Sequence, residues 1–245
     1  MSVTSMRSLR LSKLLFGAAF VFGVGLSTAN AGIPALQVNW WVNGILVNNL
    51  LPLGTDNGNG TFGYSGFDVD FFTGVQMNFS LTGDPDPLLS GNMSISNPNM
   101  PSVDVVMEVI LPIDVALAFT ELAGSAAVGL TTNSDGGALD SLTGTPVWRG
   151  LLDGIPVGND ASLFFDPFNI TISGSGSLGD SDNFGLFGPP VTAGPVSQSI
   201  GILIGFKLTQ NDSASITSVF NVVPGPGGLA VLACGLFVRR RRRRA

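Results

Sequence analysis

The fold is decided by residues 200–222, which read IGILIGFKLTQNDSASITSVFNV. Apolar side chains occupy every second position on both sides of a central Gln-Asn-Asp turn, except for Ser218. These positions are Ile200, Ile202, Ile204, Phe206 and Leu208 before the turn, and Ala214, Ile216, Phe220 and Val222 after it. A period of two places one face of a strand in the core, and a polar turn between two such runs is typical of a β-hairpin. The stretch therefore predicts a C-terminal hairpin.

The same alternation recurs in four earlier stretches. Its apolar positions are Leu36, Val38, Trp40 and Val42; Val75, Met77, Phe79 and Leu81; Val103, Val105, Met107, Val109 and Leu111; and Phe168, Ile170 and Ile172. Residues 115–129 fit a helix or a strand equally well, and residues 173–195, rich in Gly and Pro, indicate a long loop. Strands with one apolar and one polar face favour antiparallel sheets. We expect an all-β protein, an antiparallel two-layer β-sandwich with jelly-roll-like connections.

Charge is distributed very unevenly along the 245 residues. Nine of the eleven basic residues lie near the two ends, and between them only Arg149 and Lys207 are basic against all seventeen acids, a net charge of −15. Such a surface repels phosphate backbones, so nucleic acid is excluded as a partner. The chain has no histidine, which removes Ser-His-Asp catalysis and histidine-ligated zinc. Its single cysteine, Cys234, leaves no partner for an internal disulfide.

The N-terminal residues 1–31 predict a signal peptide. Three basic residues, Arg7, Arg10 and Lys13, precede an apolar run over residues 14–26 that is too short to span a bilayer. Ala29 and Ala31 then supply the small residues of a cleavage site before Gly32. We expect signal peptidase to remove this segment, a signal helix, and to leave a domain over residues 32–222 outside the inner membrane.

The C-terminal residues 223–245 predict a membrane-associated tail. Val223, Pro224, Gly225 and Pro226 precede an apolar segment over residues 227–238, which is expected to form a short transmembrane helix. A basic block follows, made of Arg239, Arg240, Arg241, Arg242, Arg243 and Arg244. Arginines next to an apolar segment remain on the cytoplasmic side, which places the preceding domain outside.

This tail resembles the PEP-CTERM sorting signal of exosortase substrates, whose members usually carry Val-Pro-Glu-Pro where this chain has Val-Pro-Gly-Pro. The resemblance covers the last residues only. It implies a bacterial envelope protein that is held in the inner membrane, recognised by exosortase, a membrane-embedded cysteine protease, and delivered to the cell surface or released. A mature protein starting at Gly32 and ending near Val223 is the expected product. A plain single-pass anchor is the alternative for the same residues.

Two acids offer a candidate catalytic pair. Asp68 and Asp70 are two residues apart and would point to the same side of a strand, which suits the carboxylate pair that a glycosidase needs. With seventeen acids in the chain, a chance pair on a solvated strand is the simpler interpretation. The sequence therefore predicts a protein that is not an enzyme. A secreted hydrolase is the last of three functional hypotheses, after the two given below.

Three acidic segments suggest calcium as a cofactor, although none has the spacing of an EF-hand. They are residues 56–60, 84–86 and 180–183, which supply carboxylate and amide oxygens on expected loops. Turn formation by Asp, Asn and Gly explains the same residues without a metal. No metal ligand is therefore assigned.

Aromatic residues suggest a second function, the binding of an extracellular polysaccharide. Trp40, Trp41 and Trp148 could form a platform on which sugars stack. Trp40 shares the register of Val38 and belongs in the core, which leaves Trp41 as the exposed candidate. The leading hypothesis remains a non-enzymatic envelope or extracellular-matrix protein, with a carbohydrate-binding module as the alternative.

Overall fold

Two antiparallel β-sheets face each other in the computed structural model, which describes residues 32–185 and 191–225. The prediction of an all-β sandwich is confirmed. The only helix among the described residues is a single 3-10 turn at Asn159–Ala161. No helix in this part of the chain is long and apolar enough to cross a bilayer. The predicted signal helix and the predicted transmembrane helix over residues 227–238 lie outside the described residues.

The strands are numbered in chain order. They are β1 (Gln37–Val42), β2 (Ile45–Leu50), β3 (Thr55–Asp56), β4 (Phe62–Val69), β5 (Gln76–Asp84), β6 (Leu88–Asn97), β7 (Ser102–Pro112), β8 (Thr120–Thr132), β9 (Gly137–Ser141), β10 (Trp148–Leu152), β11 (Ile155–Pro156), β12 (Ser162–Leu163), β13 (Asn169–Ile172), β14 (Gly176–Phe184), β15 (Val191–Ala193), β16 (Ser199–Thr209) and β17 (Asp212–Pro224).

The first sheet has the order β11-β10-β16-β7-β1-β2, with β12 beside β10, and β9 beside β16 carrying β13. The second sheet has the order β14-β8-β17-β6-β5-β4-β3, with β15 also paired to β8. The long central strands thus have a hydrogen-bonded neighbour on each side, and the shorter ones lie towards the edges.

The core lies between the sheets and is built from the alternating residues. Val103, Val105, Met107, Val109 and Leu111 of β7 are at most 1% exposed. The inward-facing apolar residues of β16 and β17 are equally buried and belong to the same core cluster. Each fully buried aliphatic side chain contributes about 1.5–3 kcal/mol, so these strands supply much of the folding free energy.

The predicted C-terminal hairpin is wrong. Both strands exist, but β16 pairs with β7, β9 and β10 in the first sheet, whereas β17 pairs with β6 and β8 in the second. Gln210 and Asn211 therefore carry the chain across the sandwich from one sheet to the other. Alternation determines which face of a strand is buried, and two strands with apolar faces can meet face to face as well as edge to edge.

A buried asparagine holds this crossing in place. The side chain of Asn97, at the end of β6, is fully buried, and its Nδ2 donates to the carbonyl oxygens of Met100, Leu208 and Thr209 at 2.9, 3.2 and 3.0 Å. Its Oδ1 accepts from the Met100 amide at 3.1 Å, and its own carbonyl accepts from the Asn211 amide at 2.7 Å. Asn97 thus links the second sheet to the end of β16 in the first.

Two further segments differ from expectation. The segment predicted as helix or strand at residues 115–129 contains most of β8, whose residues alternate between buried and exposed positions. The long loop predicted over residues 173–195 is instead largely strand, because β14 and β15 both pair with β8. The strand β14 is exposed along nearly its whole length, so it carries no apolar alternation by which a sequence could identify it.

The turn after β4 and the C-terminal end of β17 lie at opposite ends of the second sheet. Val69 at the end of β4 pairs with Gln76, which pairs in turn with Ser96 beside the start of β17. Pro224, at the end of β17, pairs with Thr120 at the opposite end. With about 3.3 Å of rise per residue, β17 separates the turn after β4 from the C-terminal exit of the described chain by roughly 35 Å.

Candidate functional site

A groove opens at the end of the sandwich where β1 turns into β2 and β4 turns into β5. Its volume is about 490 Å³. Val42, Ile45 and Val47 line it from the first sheet, and Asp68 and Phe71 are among its residues from the second. Concave sites of this size accommodate side chains of a partner or a small ligand. We refer to it below as the end groove.

Asp68 lies in the end groove on the inner face of β4. It is half-buried, and its Oδ2 accepts a hydrogen bond from Trp40 Nε1 at 2.9 Å. Trp40 is itself fully buried, so this bond satisfies an indole N–H that would otherwise have no partner in the core. The second oxygen of Asp68 accepts no hydrogen bond from the described residues.

Asp70 also lines the groove, but it lies just beyond β4 and closes the turn that follows, so the two acids do not share one strand face as predicted. Its Oδ1 accepts from the Phe72 amide at 3.1 Å, and its Oδ2 accepts from Thr73 Oγ1 at 2.5 Å. Its backbone amide donates to the Val75 carbonyl at 2.9 Å. Both carboxylate oxygens are therefore engaged locally, and the two acids have different environments.

Two aromatic side chains rise beside these acids. Phe71 and Phe72 are each 92% exposed, and their ring centroids are 5.9 Å apart at an interplanar angle of 84°. Ile45, across the groove, is 72% exposed. Sequence reasoning missed these residues, although two consecutive phenylalanines directly before a Thr-Gly turn are a detectable signal. Contiguous exposed apolar side chains commonly mark a contact surface.

The surroundings of the end groove are acidic. All seventeen acids fall within the described residues, where Arg149 and Lys207 are the only basic side chains. Lys207 lies 3.7 Å from Asp104. Arg149, on β10, is partly buried, and this burial lowers the pKa of its guanidinium. Neither cation forms an ion pair with Asp68, and the net potential of the domain is strongly negative.

A second polar arrangement occupies the outer face of the first sheet. Gln37 Nε2 donates to Asn39 Oδ1 at 3.0 Å, and Asn39 Nδ2 donates to Glu108 Oε2 at 2.8 Å. Trp41 follows on the same face of β1 and is half-buried. Its cross-strand neighbours are Leu46 and Val106. An aromatic ring beside a row of amide and carboxylate groups can stack on a sugar and bind its hydroxyls.

The predicted platform of three tryptophans does not form. Trp40 and Trp148 are both fully buried, and the Trp148 ring packs against Phe184 and Phe220 with centroid distances of 5.8 Å each. Only Trp41 is partly accessible, as the register of β1 predicts. Both buried rings lie on inner strand faces, which the sequence indicates for Trp40 but not for Trp148, since no alternation surrounds the latter.

The predicted calcium-binding segments use their oxygens locally. Asp56 Oδ1 accepts from the Gly58 amide at 2.7 Å, and Asp84 Oδ1 accepts from the Asp86 amide at 2.9 Å. Residues 180–183 do not form a loop as expected but lie in β14. Among residues 32–185 and 191–225 no group of three or more Asp, Glu, Cys or His side chains is placed to hold a metal ion.

In β14 two acids accept hydrogen bonds from backbone amides of their own strand. Asp180 Oδ1 accepts from the Ser181 amide and Asp182 Oδ1 accepts from the Asn183 amide, both at 2.8 Å. β14 pairs only with β8 among the described strands, so its other edge is free. Amides that are satisfied by neighbouring carboxylates are unavailable to a further strand, and this limits aggregation.

One acid is buried away from the groove. Asp212, at the start of β17, is fully buried; its Oδ2 contacts Thr209 Oγ1, and its Oδ1 has no partner among the described residues. The Thr209 hydroxyl also accepts from the Ala138 amide at 2.6 Å and lies 3.0 Å from the Ala138 carbonyl. Burial raises the pKa of Asp212, and the Thr209 bond offsets part of that rise.

The two predicted processing sites lie at or beyond the limits of the described residues. Gly32 is the first of them and is exposed, and Ala29 and Ala31 lie outside. Val223 and Pro224 belong to β17, and the Gly225 amide donates to the Phe119 carbonyl at 2.9 Å. Pro226 and the arginine block at 239–244 lie outside the described residues.

The protein is an antiparallel β-sandwich with a groove at one end, and both apolar and acidic side chains line this groove. No protein-family model and no curated protein matches the chain. One solved structure, described as the infectious bursal disease virus Gx strain, is 11% identical with a TM-score of 0.12, covering 78% of this chain. The chain spans 61% of that protein's length. A likeness of this degree carries no argument about fold or function.

Proposed function

We propose that the chain is an exported, non-enzymatic envelope or extracellular-matrix protein, sorted to the bacterial cell surface by an exosortase-type system. Signal peptidase, exosortase and the inner membrane are its processing partners in this proposal. The observation that carries it is the tail, in which Val-Pro-Gly-Pro, an apolar segment and six arginines follow one another. The jelly-roll-like arrangement is part of the proposal and is supported by consecutive strands that alternate between the sheets, such as β16 and β17.

The position of the chain exit agrees with this proposal. The described chain leaves the second sheet at Pro224, about 35 Å from the end groove by strand length. A tail held in a membrane at that exit would therefore leave the groove accessible at the far end. Because Val223 and Pro224 pair with Glu121 and Thr120, a protease would reach the chain more readily beyond Gly225 than within the strand.

Mass spectrometry of the intact protein from its native host tests both ends together. The expected mass begins at Gly32 and ends within a few residues of Val223, with Pro226 as the preferred limit. Deleting Arg239 to Arg244 is expected to release the protein from its normal fraction. Replacing the same six arginines with lysine, which preserves the charge, is the matched control for membrane orientation. Unchanged fractionation after the deletion would contradict sorting by the tail.

Carbohydrate binding is the second candidate, and the polar row beside Trp41 favours it. The half-buried Gln37 and Glu108 are both held in place by hydrogen bonds to the buried Asn39, which lowers the entropy they lose on binding a sugar. On a glycan array, the Trp41→Ala variant is expected to lose the signal of the parent protein. Phe67→Ala is the control, because Phe67 is 58% exposed on β4 of the other sheet. An array without any signal from the parent would refute this candidate.

A further inference from the structure

The rim of the end groove is formed by Phe71 and Phe72, whose rings take no part in the hydrogen bonds that close the turn after β4. The turn after β4 is closed by the side chain of Asp70 and by the bonds from its amide to Val75 and from the Gly74 amide to its carbonyl. None of these bonds needs an aromatic side chain at position 71 or 72, yet both rings are 92% exposed. Large apolar side chains in water weaken solubility, so their presence at this tip indicates a contact that covers them.

The inner part of the groove contributes a carboxylate without a compensating cation. Asp68 is half-buried, receives one hydrogen bond from the Trp40 indole and forms no ion pair with Arg149 or Lys207. Partial removal of a carboxylate from water is unfavourable unless a cation or several donors replace the lost hydration. Asp68 lines the same groove as the exposed phenylalanines, and its Oδ1 is free of hydrogen bonds from the described residues.

We propose that the end groove binds an extended segment of a partner protein in which a lysine or arginine is flanked by apolar side chains. The cationic group would pair with the free oxygen of Asp68, and the flanking side chains would pack on Phe71, Phe72 and Ile45. An ammonium or guanidinium near a phenylalanine ring gains a further cation–π attraction. The charge of −15 on the domain draws such a segment towards it and speeds association at low salt.

Charge complementarity distinguishes this partner from two others. A second copy of the described domain brings only Arg149 and Lys207 as cations, the second of which already contacts Asp104, and it carries the same net charge. A neutral glycan could stack on the phenylalanines but would leave the carboxylate uncompensated. The proposal does not depend on export, because it rests only on residues of the groove.

Fluorescence anisotropy with three labelled peptides tests the proposal. The probes contain Leu-Arg-Leu, Leu-citrulline-Leu and Gly-Arg-Gly cores, which separate the charge from the apolar flanks. The full chain is used in detergent, with Arg239 to Arg244 changed to glutamine in every sample so that its own basic block cannot compete. We expect the Leu-Arg-Leu peptide to bind at least about tenfold more tightly than either other peptide, and less tightly as salt is raised.

Matched variants then locate the site. Asp68→Asn keeps an oxygen for the Trp40 indole but removes the charge, and it should weaken binding about tenfold. Asp56→Asn makes the same change at an exposed turn and should have no effect. Phe71→Ser with Phe72→Ser should also weaken binding about tenfold, whereas Phe67→Ser, on the outer face of β4, should not.

Three results would overturn the proposal. The first is equal binding of the arginine and citrulline peptides by the parent chain. The second is unchanged affinity in Asp68→Asn, with its fold verified by the fluorescence of the buried Trp40. The third is binding of a neutral glycan that competes with the peptide and is lost in the Phe71 and Phe72 variant. Failure of the tail experiments described above would leave this outcome unaffected, since no step here requires sorting.

Discussion

Replacing Asn97 with alanine should be among the most damaging substitutions in the protein. The Asn97 side chain is fully buried and joins β6 of one sheet to Leu208 and Thr209 at the end of β16 in the other. Its amide group has two hydrogens for three carbonyl contacts, so at least one of these bonds is shared. Its oxygen also satisfies the Met100 amide.

The magnitude follows from what alanine leaves unpaired. The Met100 amide and at least one carbonyl at the end of β16 lose their partner, and each unsatisfied buried polar group costs about 1–3 kcal/mol. We expect the free energy of unfolding to fall by roughly 2–4 kcal/mol. For a domain of this size, this corresponds to a melting temperature lower by roughly 5–15 °C.

Urea denaturation followed by tryptophan fluorescence measures this loss, because Trp40 and Trp148 are fully buried and report on unfolding. The midpoint should fall with an unchanged slope. Asn92→Ala is the matched control: Asn92 lies on the same strand, is exposed, and accepts a single bond from Thr217. Its effect should stay within about 0.5 kcal/mol. If Asn97→Ala is as stable as Asn92→Ala, the buried link does not stabilise the crossing.

Three other predictions concern acidic residues. Burial raises the pKa of Asp212 in the folded state, so its ionisation destabilises the fold as pH rises above the ordinary aspartate range. In urea titrations Asp212→Asn should therefore gain stability relative to the parent as pH rises from that range; a difference independent of pH would contradict this. The double variant Asp180→Ala with Asp182→Ala should aggregate faster than the parent protein, as measured by light scattering. The control is the double variant Asp135→Ala with Asp160→Ala, which loses the same charge at two exposed sites. Equal aggregation rates of the two double variants would contradict a protective role of Asp180 and Asp182 at the edge of β14. Millimolar calcium should shift the melting temperature by less than about 1 °C, because Asp56 and Asp84 already accept hydrogen bonds within their own turns. A rise of several degrees, as a saturating ligand would produce, would contradict this.

The sequence predicts the long strands well because their burial is one-sided. Val105 and Met107 alternate with polar or outward residues, and both lie in the core as expected. The neighbour with which each strand pairs cannot be predicted in the same way. The inward face of β16 is encoded in its residues, but its place beside β7 depends on contacts with residues about a hundred positions away, such as Asn97.

Strands at the edge escape sequence analysis for a physical reason. The residues of β14 are exposed on both faces, so neither hydrophobic burial nor alternation selects their conformation. Pairing with β8 holds them extended, and only the three-dimensional structure shows that pairing. The sequence therefore suggests that Asp180 and Asp182 lie on a loop and bind calcium, although in the structure they accept hydrogen bonds from amides of β14.

The candidate site was predicted in part. Asp68 and Asp70 both line one groove, but the predicted common strand face is not found, because β4 ends at Val69 and Asp70 belongs to the turn. Their different environments, one beside a buried indole and one within a turn, depend on Trp40 and Thr73 and could not be derived from spacing. The exposed phenylalanines were not identified, because apolar residues in a sequence are assigned to the core by default.

The central position of the last strand has a mechanical consequence. β17 lies between β6 and β8 and is hydrogen-bonded to both, and the chain continues from its end at Pro224. Tension between that end and a partner held in the groove acts along the strand, whereas the hydrogen bonds of an antiparallel ladder run across it. Such a pull must shear many bonds on two sides together and cannot peel them away one by one. The rate of unfolding under tension is then governed by the best-connected strand of the sheet, and the sandwich can transmit force as a stiff spacer.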